Sequence, residues 1–220
     1  MRRLGNLKER KDVRTKGATR PDHRTVDHRD SPLHAKLLEP LHDMTMHEIT
    51  SKTSHPRSVV DLGCGSGQFL RRAATVFPEA ELVGVDGSAG MIHAAEMGAC
   101  PGERIRFLRG RAEALPLADA SFDLAVTTAS FHHWADQPCG LSEVSRVLRA
   151  GGTLVLADVV AAGALRVGAL AWLLGRLDGG RFSKPDALDR MLASAGFQVE
   201  RRTPAPQWGG ALQVTVARRV

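Results

Sequence analysis

Tyrosine is absent from the 220 residues, and aromatic residues make up only 5% of them. No tyrosyl hydroxyl can therefore act as a catalytic acid or base. Cysteine is nearly as scarce: Cys64, Cys100 and Cys139 are an odd number with no paired spacing. That pattern excludes a zinc ribbon and a disulfide framework, so no metal is expected and a reducing cytoplasm is the expected setting. The longest apolar run, residues 159–177, carries Arg166 in its middle and is flanked by Asp158 and Asp178, which argues against a membrane span. The charged start of the chain does not read as a secretory signal. Excess positive charge is also missing from most of the chain. Residues 1–30 hold ten Lys/Arg against five Asp/Glu, which is +5 of the formal +6. The remainder is near neutral, and no aromatic residue interleaves the basic ones, so no nucleic-acid partner is expected.

What is present is enough for one domain. With 43% hydrophobic residues, the chain has a composition ordinary for a soluble globular protein. The polar residues 1–30 read as a disordered basic tail, and residues 31–220 as a single domain. Ser31-Pro32 resembles a helix start, and Leu33, Leu37, Leu38, Leu41, Met44 and Met46 continue an apolar face to about residue 50. This N-terminal helix fits either a lid or plain core packing.

The most informative stretch is Asp61-Leu-Gly-Cys-Gly-Ser-Gly67. The apolar, β-branched residues 58–62 predict a buried strand before it. Residues 68–76 have helical spacing, with Phe69, Leu70, Ala73 and Val76 on one face. Alternating glycines in a strand-to-helix turn let a ligand lie against the backbone, at the electropositive end of the helix. No lysine follows, so a P-loop is excluded. The dinucleotide fingerprint would need glycine where Gln68 stands. The strand-end carboxylate Asp61 suits a cation, and S-adenosylmethionine (SAM), with its ammonium and sulfonium, has the matching charge. Asp86 closes the next apolar run, residues 81–86, about 20 positions on, where an acid can accept from both ribose hydroxyls.

Further along, residues 88–97 read as a helix capped by Ser88. Strands are predicted at 105–109, 121–127 and 153–158. A helix at 141–148 is expected to end at Gly151-Gly152 as its C-cap. Covering helices are expected over about 161–192, including one at 184–192. Residues 196–202 and 211–217 read as the last two strands. Alternating strands and helices at this spacing predict a parallel sheet covered on both faces.

Six motifs occur in order: Val59-Val-Asp-Leu-Gly-Cys-Gly-Ser-Gly-Gln68, Gly84-Val-Asp-Gly-Ser88, Ala112-Glu-Ala-Leu-Pro116, Ser121-Phe-Asp123, Phe131-His-His-Trp134 and Val147-Leu-Arg-Ala-Gly-Gly152. Together they resemble the class I SAM-dependent methyltransferases of the methyltransferase type 11 group, over roughly residues 59–160. The resemblance implies a Rossmann-like fold with a seven-stranded, mostly parallel sheet whose last strand is antiparallel. It implies SAM as cofactor and a small-molecule methyl acceptor, hydrophobic or aromatic, methylated on O, N or C. Gly63, Gly65 and Gly67 would contact the methionine and ribose portion, with Asp61 near the ammonium and Asp86 on the ribose. Cys64, Gly87, Met91, Arg111, Ala112, Glu113 and Thr128 would complete the cofactor site. Arg111 departs from the family pattern, where an Asp often meets the adenine amine at that position. The backbone of Ala112 is the firmer contact.

His132 or His133, just past the fourth strand, is the candidate base, the alternative being that histidines at this position of the family only line the cofactor or pocket wall. Trp134 reads as packing, and Arg71-Arg72 as the solvated side of their helix. A non-catalytic SAM-binding accessory protein is the alternative reading. The oligomeric state is open, a homodimer included. Thr128-Ala-Ser-Phe131 stands where amino-methylating nucleic-acid enzymes commonly carry Asn/Asp-Pro-Pro-aromatic.

Overall fold

The computed structural model describes residues 32–52, 55–99, 102, 104–161, 180–205 and 211–220. The tail at 1–30 and most of the covering segment, residues 162–179, lie outside the described residues. Seven strands form one sheet in the order β3-β2-β1-β4-β5-β7-β6. They are β1 (Ser58–Leu62), β2 (Glu81–Asp86), β3 (Ile105–Arg109), β4 (Phe122–Thr128), β5 (Leu148–Val159), β6 (Phe197–Pro204) and β7 (Leu212–Arg219). The first five pair in parallel, and β7 runs antiparallel to both of its neighbours. The sequence order reverses at β1 and β4, so their carboxyl ends open a crevice, the usual ligand position in open α/β sheets.

Among the described residues five α-helices flank the sheet: α1 (Pro32–Lys52), α2 (Gln68–Val76), α3 (Ala89–Met97), α4 (Gln137–Val147) and α5 (Pro185–Ser194). Alternation along each strand divides the core in two. Val60, Val83, Val85, Ala125, Leu154 and Leu156 face one cluster with Leu141, Val144, Leu188 and Leu192 from α4 and α5. Val59, Leu82, Leu124, Val126 and Val155 face the other, with Leu41 and Ile49 of α1, Phe69 and Leu70 of α2, and Ile92 of α3. Both faces of the central strands are buried, which explains their unbroken apolar runs. None of the described helices is long and apolar enough to cross a membrane.

Ser88 caps α3 as expected, its hydroxyl accepting from the Met91 amide at 3.3 Å. The predicted end of the next helix is corrected. Asp136 caps α4 by accepting from the Cys139 amide at 3.0 Å, and the helix stops at Val147. Gly151-Gly152 lies inside β5, where the register with β4 shifts between Phe122 and Leu124. Gly151 sits at φ +73°, and a Cβ on Gly152 would stand 2.8 Å from the Arg149 carbonyl. The glycine pair thus bends a strand and does not cap a helix.

Candidate active site

The glycine turn is built by three left-handed residues, Gly63, Gly65 and Gly67, at φ +73°, +52° and +82°. Each has a different neighbourhood. A Cβ on Gly63 would lie 1.8 Å from Ser130 Oγ, and one on Gly67 2.6 Å from Phe107 Cζ, whereas one on Gly65 would meet nothing within 4 Å. Gly63 and Gly67 are therefore pressed against the β4 and β3 sides, and Gly65 faces open space. Val85 closes the turn from behind, its carbonyl accepting from the Gly63 and Cys64 amides at 2.7 and 3.2 Å. Gly67 leads into α2 without a side-chain cap, so the first turn of the helix presents its N–H groups toward the crevice.

Asp61, at the end of β1, is 1% exposed. Among the described residues neither of its carboxylate oxygens has a hydrogen-bond partner. Burial, with the nearby Asp86 charge adding to it, pushes the Asp61 carboxyl up to about 8. An unpartnered buried carboxyl at the mouth of a crevice fits a ligand that brings its own positive charge. Asp86, at the end of β2, accepts from the Gly65 amide at 3.0 Å and the Ser88 amide at 2.8 Å. Cys64 is buried; desolvation first, then Asp61 and Asp86, push its thiol up, so it packs as a neutral thiol.

The loop after β3 holds Arg111, Ala112 and Glu113. Arg111 is exposed and contacts Glu113 at 3.3 Å. Burial works against the Glu113 carboxylate, but the Asp136 amide, its own backbone and Arg111 hold it below the usual range. The Glu143–Arg146 pair of α4, invisible to motif reading, fixes this loop. Glu143 Oε2 accepts from the Leu115 amide at 2.8 Å, and Arg146 donates to the Leu115 and Leu117 carbonyls at 3.1 and 2.8 Å. Gly87 is exposed and Met91 buried, at the start of α3.

At the end of β4, Thr128 is buried and Ala129 adopts φ +49°, a conformation costly for a residue with a side chain. It turns the chain so that Ser130 lands on Gly63 and accepts from Trp134 Nε1 at 3.3 Å. Trp134 is buried and edge-on to Phe131, 5.1 Å between centroids, which is a packing position. The two histidines part here. His132 is 6% exposed and its Nδ1 lies 2.6 Å from Asp158 Oδ1, while its amide donates to Asp158 Oδ2 at 3.1 Å. His133 is half-buried, its ring 3.9 Å from that of His132. Phe182, where the covering segment returns, stacks on His132 at 5.2 Å. Sequence reasoning missed Asp158; its signal was an acid ending a buried strand beside the crevice, the same signal as Asp61 and Asp86.

A family model described as a methyltransferase domain matches residues 60–156. The chain is 32% identical over 169 residues to a demethylmenaquinone methyltransferase of Deinococcus radiodurans, covering 67% of this chain and 70% of that protein. The chain belongs to the class I SAM-dependent methyltransferases, in the type 11 group. Over 113 residues it is 35% identical to a malonyl-[acyl-carrier protein] O-methyltransferase of Hahella chejuensis, covering 50% of this chain and 39% of the relative. A chain from the complex between the Haloferax volcanii Trm112 methyltransferase activator and a methyltransferase shares the fold, with TM-score 0.69 and 22% identity, covering 86% of this chain and 94% of that one.

The methyltransferase is an enzyme, and SAM is its cofactor. The orphaned Asp61 carboxyl, the open space at Gly65 and the uncapped α2 fit a cation of this kind.

Proposed function

We propose that this methyltransferase methylates a hydroxyl group of a small hydrophobic or aromatic molecule, with His132 taking the hydroxyl proton. The observation that carries this reading is the contact between Asp158 and His132 in the crevice. Asp158 accepts from the His132 and Val159 amides as well as facing Nδ1. A carboxylate already accepting backbone donors acts as acceptor for the ring too, so Nδ1 carries the hydrogen. The lone pair of the neutral imidazole then sits on Nε2, the atom that takes a proton. A neighbouring carboxylate also stabilises the imidazolium that results.

The cofactor when bound supplies a methyl group on a sulfonium, whose departure leaves a neutral thioether. The chain contributes shape. Asp61 and the glycine turn would hold the cationic end, Asp86 the ribose, and the Ala112 backbone the base. Phe182, stacked on the His132 ring, would border the acceptor and exclude water. Holding two reactants in line is worth up to roughly 7–11 kcal/mol, more than any single proton transfer. His132 adds to that where the acceptor must lose a proton. The relative named for O-methylation supports an oxygen acceptor, and the relative named for a quinone supports only an apolar molecule.

Turnover of a phenol, a catechol and a naphthol, followed by release of the demethylated cofactor across pH, tests this reading. His132→Gln should lower kcat by about 100-fold and flatten its rise with pH. His133→Gln should stay within about threefold of the parent, since the carboxylate positions only its neighbour. Asp158→Asn should lower kcat toward that of His132→Gln, because the ring loses the acceptor that fixes its tautomer. An unchanged profile in His132→Gln refutes the base role, and no turnover of any hydroxylated acceptor refutes the acceptor class.

A further inference from the structure

Arg71 and Arg72 stand side by side on α2, and helical spacing assigns both to its solvated face. The structure separates them. Arg72 pairs with Asp43 of α1 at the surface. Arg71 instead turns back over the glycine turn. Its Nη1 donates to the Ser66 carbonyl at 2.6 Å and its Nη2 to the Ala95 carbonyl at 2.6 Å, while its Cζ lies 5.9 Å from the Phe107 ring centroid. Ala95 belongs to the last turn of α3, where carbonyls lack intrahelical donors and a cation is favoured. The enclosure is tight. A Cβ on Gly67 would lie 3.2 Å from Nη1, and one on Gly98 3.1 Å from Nη2. Phe107 reaches across as well: a Cβ on Gly84 would meet it at 2.8 Å.

We propose that Arg71 is a positioning residue that clamps the Ser66–Gly67 limb of the cofactor turn to the end of α3, and so sets affinity for the methionine end of the cofactor. The other hydrogen bonds described for the limb are local: Gly67 donates to Cys64 within the turn, and its carbonyl accepts from the Arg71 amide as α2 begins. Without a clamp, three left-handed glycines would sample many conformations, and each binding event would bear the cost of ordering them. A planar guanidinium suits the task because its fixed fork reaches two carbonyls in different directions while its carbon stands over the Phe107 ring. The clamp rests on the assignment of the glycine turn to the methionine end.

Calorimetry with two nucleosides tests it: S-adenosylhomocysteine, and 5′-methylthioadenosine, which lacks the amino-acid end. In Arg71→Ala the dissociation constant for S-adenosylhomocysteine should rise about tenfold or more, the scale of one charge-assisted hydrogen bond. That for 5′-methylthioadenosine should stay within about twofold, because its contacts lie elsewhere in the site. KM for SAM should rise with the dissociation constant, and kcat at saturation should hold within about twofold. Arg71→Lys should fall between, at about threefold, and carries the test if the alanine variant does not fold. Arg72→Ala should change neither nucleoside. Wild-type affinity for S-adenosylhomocysteine in Arg71→Ala would overturn the proposal, as would equal losses for both nucleosides, which mark general loosening. Failure of the parent protein to bind either nucleoside would instead remove the cofactor seat itself.

Discussion

Gly65→Ala is expected to leave the protein folded and to abolish cofactor binding, whereas Gly63→Ala should damage the fold itself. Both glycines are left-handed, at φ +52° and +73°, so each alanine costs about 1–2 kcal/mol of backbone strain. Their surroundings decide the rest. At Gly65 the new methyl meets nothing within 4 Å, but it occupies the space in which a ligand would touch the backbone. At Gly63 it would fall 1.8 Å from Ser130 Oγ and 2.4 Å from Ser130 Cβ. Ser130 is held from the other side by Trp134 Nε1 and follows the strained Ala129, so it has little room to give. Thermal melting should place Gly65→Ala within about 5 °C of the parent and Gly63→Ala well below it. Calorimetry with S-adenosylhomocysteine should show Gly65→Ala weakened by more than about 100-fold. Parent-like affinity in that variant would mean the cofactor does not lie on this turn.

Asp61→Asn should make the free protein more stable and the cofactor complex weaker. The Asp61 carboxyl is pushed up to about 8 in the fold, above an unfolded value of about 3.9. Between those values the native state binds more protons than the unfolded chain, so stability contributed by this site falls as pH rises. It is fully present below the unfolded value and lost once pH passes that of the folded group. Asparagine carries no charge at any pH and escapes the loss. Denaturant unfolding at about pH 8.5 should therefore find the free Asp61→Asn variant more stable than its parent, and at about pH 4 nearly equal. Binding goes the other way. Truncating one side of a buried charge pair costs about 2–5 kcal/mol, or roughly 30- to 4,000-fold in affinity. A variant that gains no stability above the folded value, or that keeps parent affinity for S-adenosylhomocysteine, would contradict the role given to Asp61.

Local chemistry made much of this legible before any coordinates. The turn after β1 announces itself because three glycines are a backbone requirement, and Asp86 because it ends an apolar run. The strands β1, β2 and β4 read directly from apolar runs that are buried on both sides. What the sequence concealed depends on partners far along the chain. A glycine pair can cap a helix or bend a strand, and only the pairing of β5 with β4 decides for Gly151-Gly152. Arg71 looks solvated until Ser66 and Ala95, on two other segments, converge on it. Asp158 shows in sequence only as an acid ending an apolar run, because the histidine it holds lies 26 residues earlier. The family pattern at Arg111 gave no hint that Glu143 and Arg146, on α4, fix the loop around it. In each case the deciding contact crosses between elements.

On this reading the buried Asp61 carboxyl gives up its proton to receive the ammonium that SAM and S-adenosylhomocysteine share. Titration calorimetry of the parent protein with S-adenosylhomocysteine, run at about pH 7 in two buffers of different ionisation enthalpy, measures that proton directly. The account predicts release of about one proton per site and an affinity that tightens by up to about tenfold per pH unit between about pH 6 and 7.5. Both effects should be missing in Asp61→Asn. Binding with no proton released and no dependence on pH would contradict it.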